Sequence, residues 1–187
     1  MCNDNTMCSS IILKNTVNNM SRSKYPKIKE VIASAASGDL DEIKRLASLG
    51  VKVNGLLFGE GGLQAAAING HTEVVRYFMD HYPYKQEYKE AILTAAAWCG
   101  KLNVIKLLIE QYKIFAPEAI HRAIEHDHIE AIKYMLNYDP RYLYAENGFK
   151  RVPLQTAILK VKQRSNGGWQ RRNRKKEISR KRNREYS

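Results

Sequence analysis

The chain has 187 residues, 44% of them hydrophobic, and a formal charge of +12. That apolar share supports a packed core, so a wholly disordered chain is excluded, and no run approaches the 18 apolar residues of a membrane span. Charge is segregated: Lys160–Ser187 holds 12 Lys/Arg against 2 Asp/Glu, whereas the residues before it carry 19 against 17. Three cysteines (Cys2, Cys8, Cys99) form neither a disulfide framework nor a zinc pattern and suit a reducing compartment. The N-terminal residues lack the basic and apolar regions of a signal peptide. A soluble, monomeric protein of the cytosol or nucleus is expected, without membrane contact.

Residues 1–26 are rich in Asn, Ser and Thr without periodicity, and read as a disordered leader. From Lys27 onward one string recurs: Ser34–Leu46, Ala66–Phe78, Ala96–Leu108 and Ala123–Met135 align without gaps. Their punctuating residues, Gly38, Gly70, Gly100 and Asp127, fall 32, 30 and 27 residues apart. In each unit a helix of small residues (Ala65-Ala66-Ala67, Ala95-Ala96-Ala97) ends at the break, where glycine takes positive φ without steric cost. A second helix follows with apolar residues at helical spacing: Val74, Val75 and Phe78, then Val104, Ile105 and Leu108, then Ile132, Met135 and Leu136. Neither helix can bury its face alone, so the units must stack.

These strings resemble ankyrin repeats. Leu63–Val75 is similar to the family's T-P-L-H-x-A-A-x-x-G-H-x-E-V-V pattern, and Gly50–Asn54 to its closing G-A-x-V-N element. The resemblance covers about Lys27 to Lys162. It implies an all-α ankyrin-repeat solenoid of about four repeats plus a C-terminal half repeat, Leu154–Ile158 repeating only a first helix. The expected domains are a leader (1–26), the repeat domain (27–162) and a basic disordered tail (163–187). Only the interval Gly50–Gly62 has the glycine-rich composition of a β-hairpin finger. The connectors at 81–85 and 112–117 lack it and are expected to be plain helix-to-helix loops. Divergent repeats of this kind are similar to those of giant viruses and intracellular bacterial effectors. Glu42 and Arg45 stand where inner repeats carry Val74 and Tyr77 or Val104 and Leu107, which marks the first repeat as a polar cap.

No nucleophile elbow, phosphate loop or carboxylate pair is present, and His121, His126 and His128 lack metal-ligand spacing. The chain is expected to be non-enzymatic, with no cofactor and no metal. His71 and His128, each following a break, read as turn-stabilising residues. The resemblance implies that the two residues before each break, with the finger tips, line a concave binding groove. Here these are Ala36 and Ser37, Ile68 and Asn69, Trp98 and Cys99, Glu125 and His126, Leu159 and Lys160, with Leu56, Leu57 and Phe58 in the finger. Ile68, Asn69, Trp98, Cys99, Glu125, His126 and the three finger residues are the candidate contacts with a protein partner. Trp98 is either a groove anchor or a side chain packed beneath the connector. The tyrosines Tyr82, Tyr84, Tyr88, Tyr138, Tyr142 and Tyr144 either offer a second surface or cover edges where hairpins are missing. In the tail, Arg171, Arg172, Arg174, Lys175, Lys176, Lys181, Arg182 and Arg184 form two basic clusters. They are candidates for a nuclear localisation signal read by an import receptor, for RNA or DNA phosphate contact, or for a solvated extension without a role.

Overall fold

The structure, a computed structural model, describes residues 26–51 and 61–161. The leader, the expected finger (Leu56, Leu57 and Phe58 included) and the basic tail lie outside the described residues. Eight helices form four antiparallel pairs: α1 (Pro26–Ser37) with α2 (Leu40–Ser48), α3 (Gly62–Asn69) with α4 (Thr72–His81), α5 (Gln86–Trp98) with α6 (Leu102–Glu110), and α7 (Pro117–Glu125) with α8 (Ile129–Tyr138). A single 3-10 turn, Pro140–Leu143, follows, and α9 covers 153–161. No strand occurs among the described residues. The architecture is an all-α solenoid of four helix pairs and a half repeat.

First helices stack on first helices (α1 on α3 on α5 on α7) and second helices on second helices (α4 on α6 on α8). Alanine makes the inner stack close: Ala66, Ala67, Ala96, Ala97 and Ala123 are fully buried. The second helices fill the layer behind with Val75, Phe78, Ile105, Leu108 and Met135, all buried. Each first helix ends in the same way. An amide two or three residues past the helix bonds back to the carbonyl of its last turn, as in His71 N to Ala66 O (3.0 Å), Lys101 N to Ala96 O (2.9 Å) and His128 N to Ala123 O (3.0 Å). The break residue sits in the left-handed region, at φ 89° for Gly70 and 61° for Asp127, an aspartate being among the few side chains that tolerate it. Asp39 starts α2 by accepting from the Glu42 amide at 2.9 Å, satisfying one orphan helix donor.

The polar cap is visible in α2, where Arg45 and Glu42 pair at 2.6 Å on a solvent-facing surface. The equivalent Val74 and Val104 are buried. Connectors 82–85 and 111–116 are plain loops between helices. Tyrosines cover them: Tyr84 and Tyr88 stack 5.4 Å apart, and Tyr112 and Tyr134 donate to Asp80 (2.6 Å) and Glu110 (2.7 Å).

Tyr142 departs from that pattern, since its ring is fully buried against Phe115 at 4.7 Å. Its hydroxyl makes no full hydrogen bond, only a weak approach to the Ala116 backbone, and burial pushes its pKa up to about 12. A buried hydroxyl so poorly paired costs up to about 1–3 kcal/mol. Tyr142→Phe is therefore expected to leave stability unchanged or raise it by about 1 kcal/mol, read from the urea midpoint. A loss above that amount would mean that the hydroxyl is paired.

Candidate functional site

Register explains which pre-break residues reach the surface. Ile68 and Trp98 occupy the same place in successive repeats, yet Ile68 is 1% exposed and Trp98 37% exposed. The neighbouring helix decides this. Beside Ile68, α5 and the residue that caps it present Ala95 and Cys99, four residues apart, and the three side chains form a small buried cluster. At the corresponding places α7 presents Arg122 and His126, which leave no slot. Trp98 is held out over them instead, its ring 5.4 Å from the His126 ring and 5.9 Å from the Arg122 guanidinium.

Two expectations are corrected accordingly. Ile68 and Cys99 are not groove contacts: both side chains are consumed in packing α3 against α5. Asn69 is half-buried and its side-chain amide donates to Ala65 O at 2.8 Å, which ends α3. Trp98, Glu125 and His126 do come together, and Arg122, absent from the sequence candidates, binds them into one unit. It pairs with Glu118 at 3.0 Å and Glu125 at 2.9 Å while facing the Trp98 ring. The signal for Arg122 lay in the alignment, as a long charged residue where Ala65 and Ala95 stand in the other repeats.

The result is an exposed aromatic shelf, Trp98 over His126 and Arg122, flanked by carboxylates. A guanidinium over an indole contributes about 0.5–1 kcal/mol at an exposed site, which fixes the ring without burying it. Burial pushes the His126 pKa down, and the charge of nearby His128 adds to this.

Beneath the shelf, the residues that follow the breaks tie each repeat to the one before. His128 Nε2 donates to Trp98 O at 2.7 Å and His71 Nε2 to Ala36 O at 2.8 Å. At the last junction Lys160 donates to Ile124 O at 2.6 Å and pairs with Asp127 at 2.6 Å. His121, fully buried, seals the half repeat: Nε2 donates to Ala145 O at 2.8 Å and Nδ1 lies 2.7 Å from Thr156 Oγ1. Among the described residues no group of three or more His, Cys, Asp or Glu is placed to hold a metal ion. No helix there is long and apolar enough to cross a membrane.

Paired helices joined by tight breaks and stacked in one direction define a helical-repeat binding protein. The family description "Ankyrin repeats (3 copies)" matches residues 31–118, and that part of the chain is built of ankyrin repeats. No curated protein matches its sequence. Among solved structures, a chain of the crystal structure of the yeast ribosomal protein Rps3 in complex with its chaperone Yar1 is 27% identical. The alignment covers 61% of this chain and 93% of that one, with a TM-score of 0.46.

Proposed function

We propose that this protein is a non-enzymatic adaptor or effector that captures a partner protein on the concave side of its repeats, with Trp98 as the anchor. Ankyrin repeats are protein-interaction modules, and the observation that carries the assignment is the exposed Trp98 shelf in an otherwise alanine-lined stack. A large aromatic that the solenoid core does not use, fixed by Arg122 and His126, has the make-up of an interaction hot spot. Glu125, and Asn69 one repeat earlier, are supporting contacts, and Leu56, Leu57 and Phe58 are assigned the same role from the sequence alone. The basic clusters Arg171–Lys176 and Lys181–Arg184 serve as a nuclear localisation signal for an import receptor.

Trp98→Ala tests the anchor. The substitution is expected to shift the melting temperature little and to weaken a partner captured by the wild-type chain by about 2 kcal/mol or more. A large loss of stability with unchanged binding would make Trp98 a packing residue. A second reading, favoured by the charge segregation alone, is that the tail binds RNA or DNA. The two separate on salt: phosphate contact weakens steeply as salt rises, whereas a complex on Trp98 persists. The tail fused to a passive fluorescent protein should accumulate in nuclei and lose this when Arg171, Arg172, Arg174, Lys175 and Lys176 become Ala.

A further inference from the structure

The junctions between successive repeats are not held alike at the breaks. At the first and third, an imidazole lies over the break glycine, His71 over Gly38 and His128 over Gly100. Each donates to the carbonyl two residues before that glycine, Ala36 O and Trp98 O. At the last junction Lys160 reaches Ile124 O and is steadied by the Asp127 carboxylate at 2.6 Å. At the second junction the residue in the place of the imidazole is Lys101. Its methylene stem lies over Gly70, where a Cβ would come within 3.3 Å of it, but its ammonium makes no hydrogen bond to Ile68 O, the equivalent carbonyl. Gly70 has no carboxylate to hold that ammonium as Asp127 holds Lys160, and a lysine head left unpaired is strongly hydrated.

Apolar packing at this edge is small as well. Ile68, Ala95 and Cys99 form a cluster of three, apart from the main core. The helix they fasten, α3, has 8 residues, against 12, 13 and 9 in α1, α5 and α7. The opposite edge of the same junction is tied. There Tyr112 donates to Asp80 at 2.6 Å and Arg76 donates to Gln111, joining the α4 side to the α6 side. Local opening takes the region with the fewest buried contacts and hydrogen bonds. A junction bonded on one edge and only packed on the other therefore opens about the bonded edge.

We propose that the second junction is the hinge of the solenoid, swinging about the Tyr112–Asp80 edge so that the breaks at Gly70 and Gly100 part and close. The first two repeats form one block, and the remaining repeats form the other. Opening widens the groove between Asn69 and the Trp98 shelf and uncovers Cys99. The hinge itself stands whether or not Trp98 contacts a partner.

The test reads Cys99, buried in the closed junction, in the full chain carrying Cys2→Ser and Cys8→Ser. Iodoacetamide should label it at a rate that stays constant as urea is raised toward the unfolding transition, the signature of local opening. Lys101→His, which sets an imidazole where His71 and His128 stand in their repeats, should slow labelling at least about threefold, the worth of one added hydrogen bond. His71→Lys, which removes the tie at the first junction, should leave the rate unchanged. Labelling that is undetectable below the transition, or that climbs with urea from the lowest concentrations, would mean that Cys99 is reached only by unfolding the whole chain, and overturns the hinge. An unaltered rate in Lys101→His, or a faster one in His71→Lys, overturns it as well.

Discussion

Replacing Phe78 by Ala is expected to lower the unfolding free energy by about 3–5 kcal/mol. The Phe78 side chain is fully buried in α4, and its ring contacts Tyr77 and Tyr82 with centroids 6.0 and 6.1 Å away. It also lies against Gly62 at the start of α3, so close that a Cβ there would come within 2.9 Å of the ring. The fit leaves no neighbour able to collapse into the vacated volume without breaking the α3–α4 pair. Urea denaturation should show a lower midpoint. Leu49→Ala, at a residue 59% exposed, is the control and should stay within about 0.5 kcal/mol of wild type. Similar losses at both sites would mean that Phe78 is not the keystone of the second repeat.

Gly100→Ala is expected to cost about 2–4 kcal/mol, from two sources that a double-mutant cycle separates. Gly100 has φ 64°, where a Cβ costs about 1–2 kcal/mol. The new methyl would also fall on the imidazole of His128 and push it off Trp98 O. In a His128→Ala background the second cost disappears, so the glycine change should then cost only about 1–2 kcal/mol. Gly50 supplies the comparison, with φ 74° and nothing within 4 Å of an added Cβ. Additive losses in the cycle would show that His128 moves aside freely and that its bond to Trp98 O is not structural.

The repeats were legible because each carries its own local chemistry: a small-residue helix, a residue fit for positive φ, and an apolar second helix. The polar first repeat was legible for the same reason, since Glu42 and Arg45 stand out once the register is set. The binding site was legible only in part. Ile68 and Trp98 look equivalent in the sequence, and what separates them is the size of the side chains one helix further on, Ala95 and Cys99 against Arg122 and His126. That is a relation between residues about thirty positions apart, which local periodicity does not report. Tyr142 was likewise grouped with the connector tyrosines, while in the fold it is core. Its neighbour Phe115 comes from a different connector, and only the fold brings the two together.

The contacts made by His71, His128 and Lys160 point one way along the chain, and this matters for the order in which the protein is made. Each acceptor carbonyl is synthesised first and its donor follows 35, 30 or 36 residues later. At about 5–20 residues per second, a nascent repeat waits about 2–7 s for the side chain that will close its last turn. Throughout elongation the newest repeat is the incompletely bonded one, and each is finished by its successor. A nascent chain that has emerged only as far as the residues before His128 therefore exposes a third repeat whose Trp98 carbonyl is still open to water.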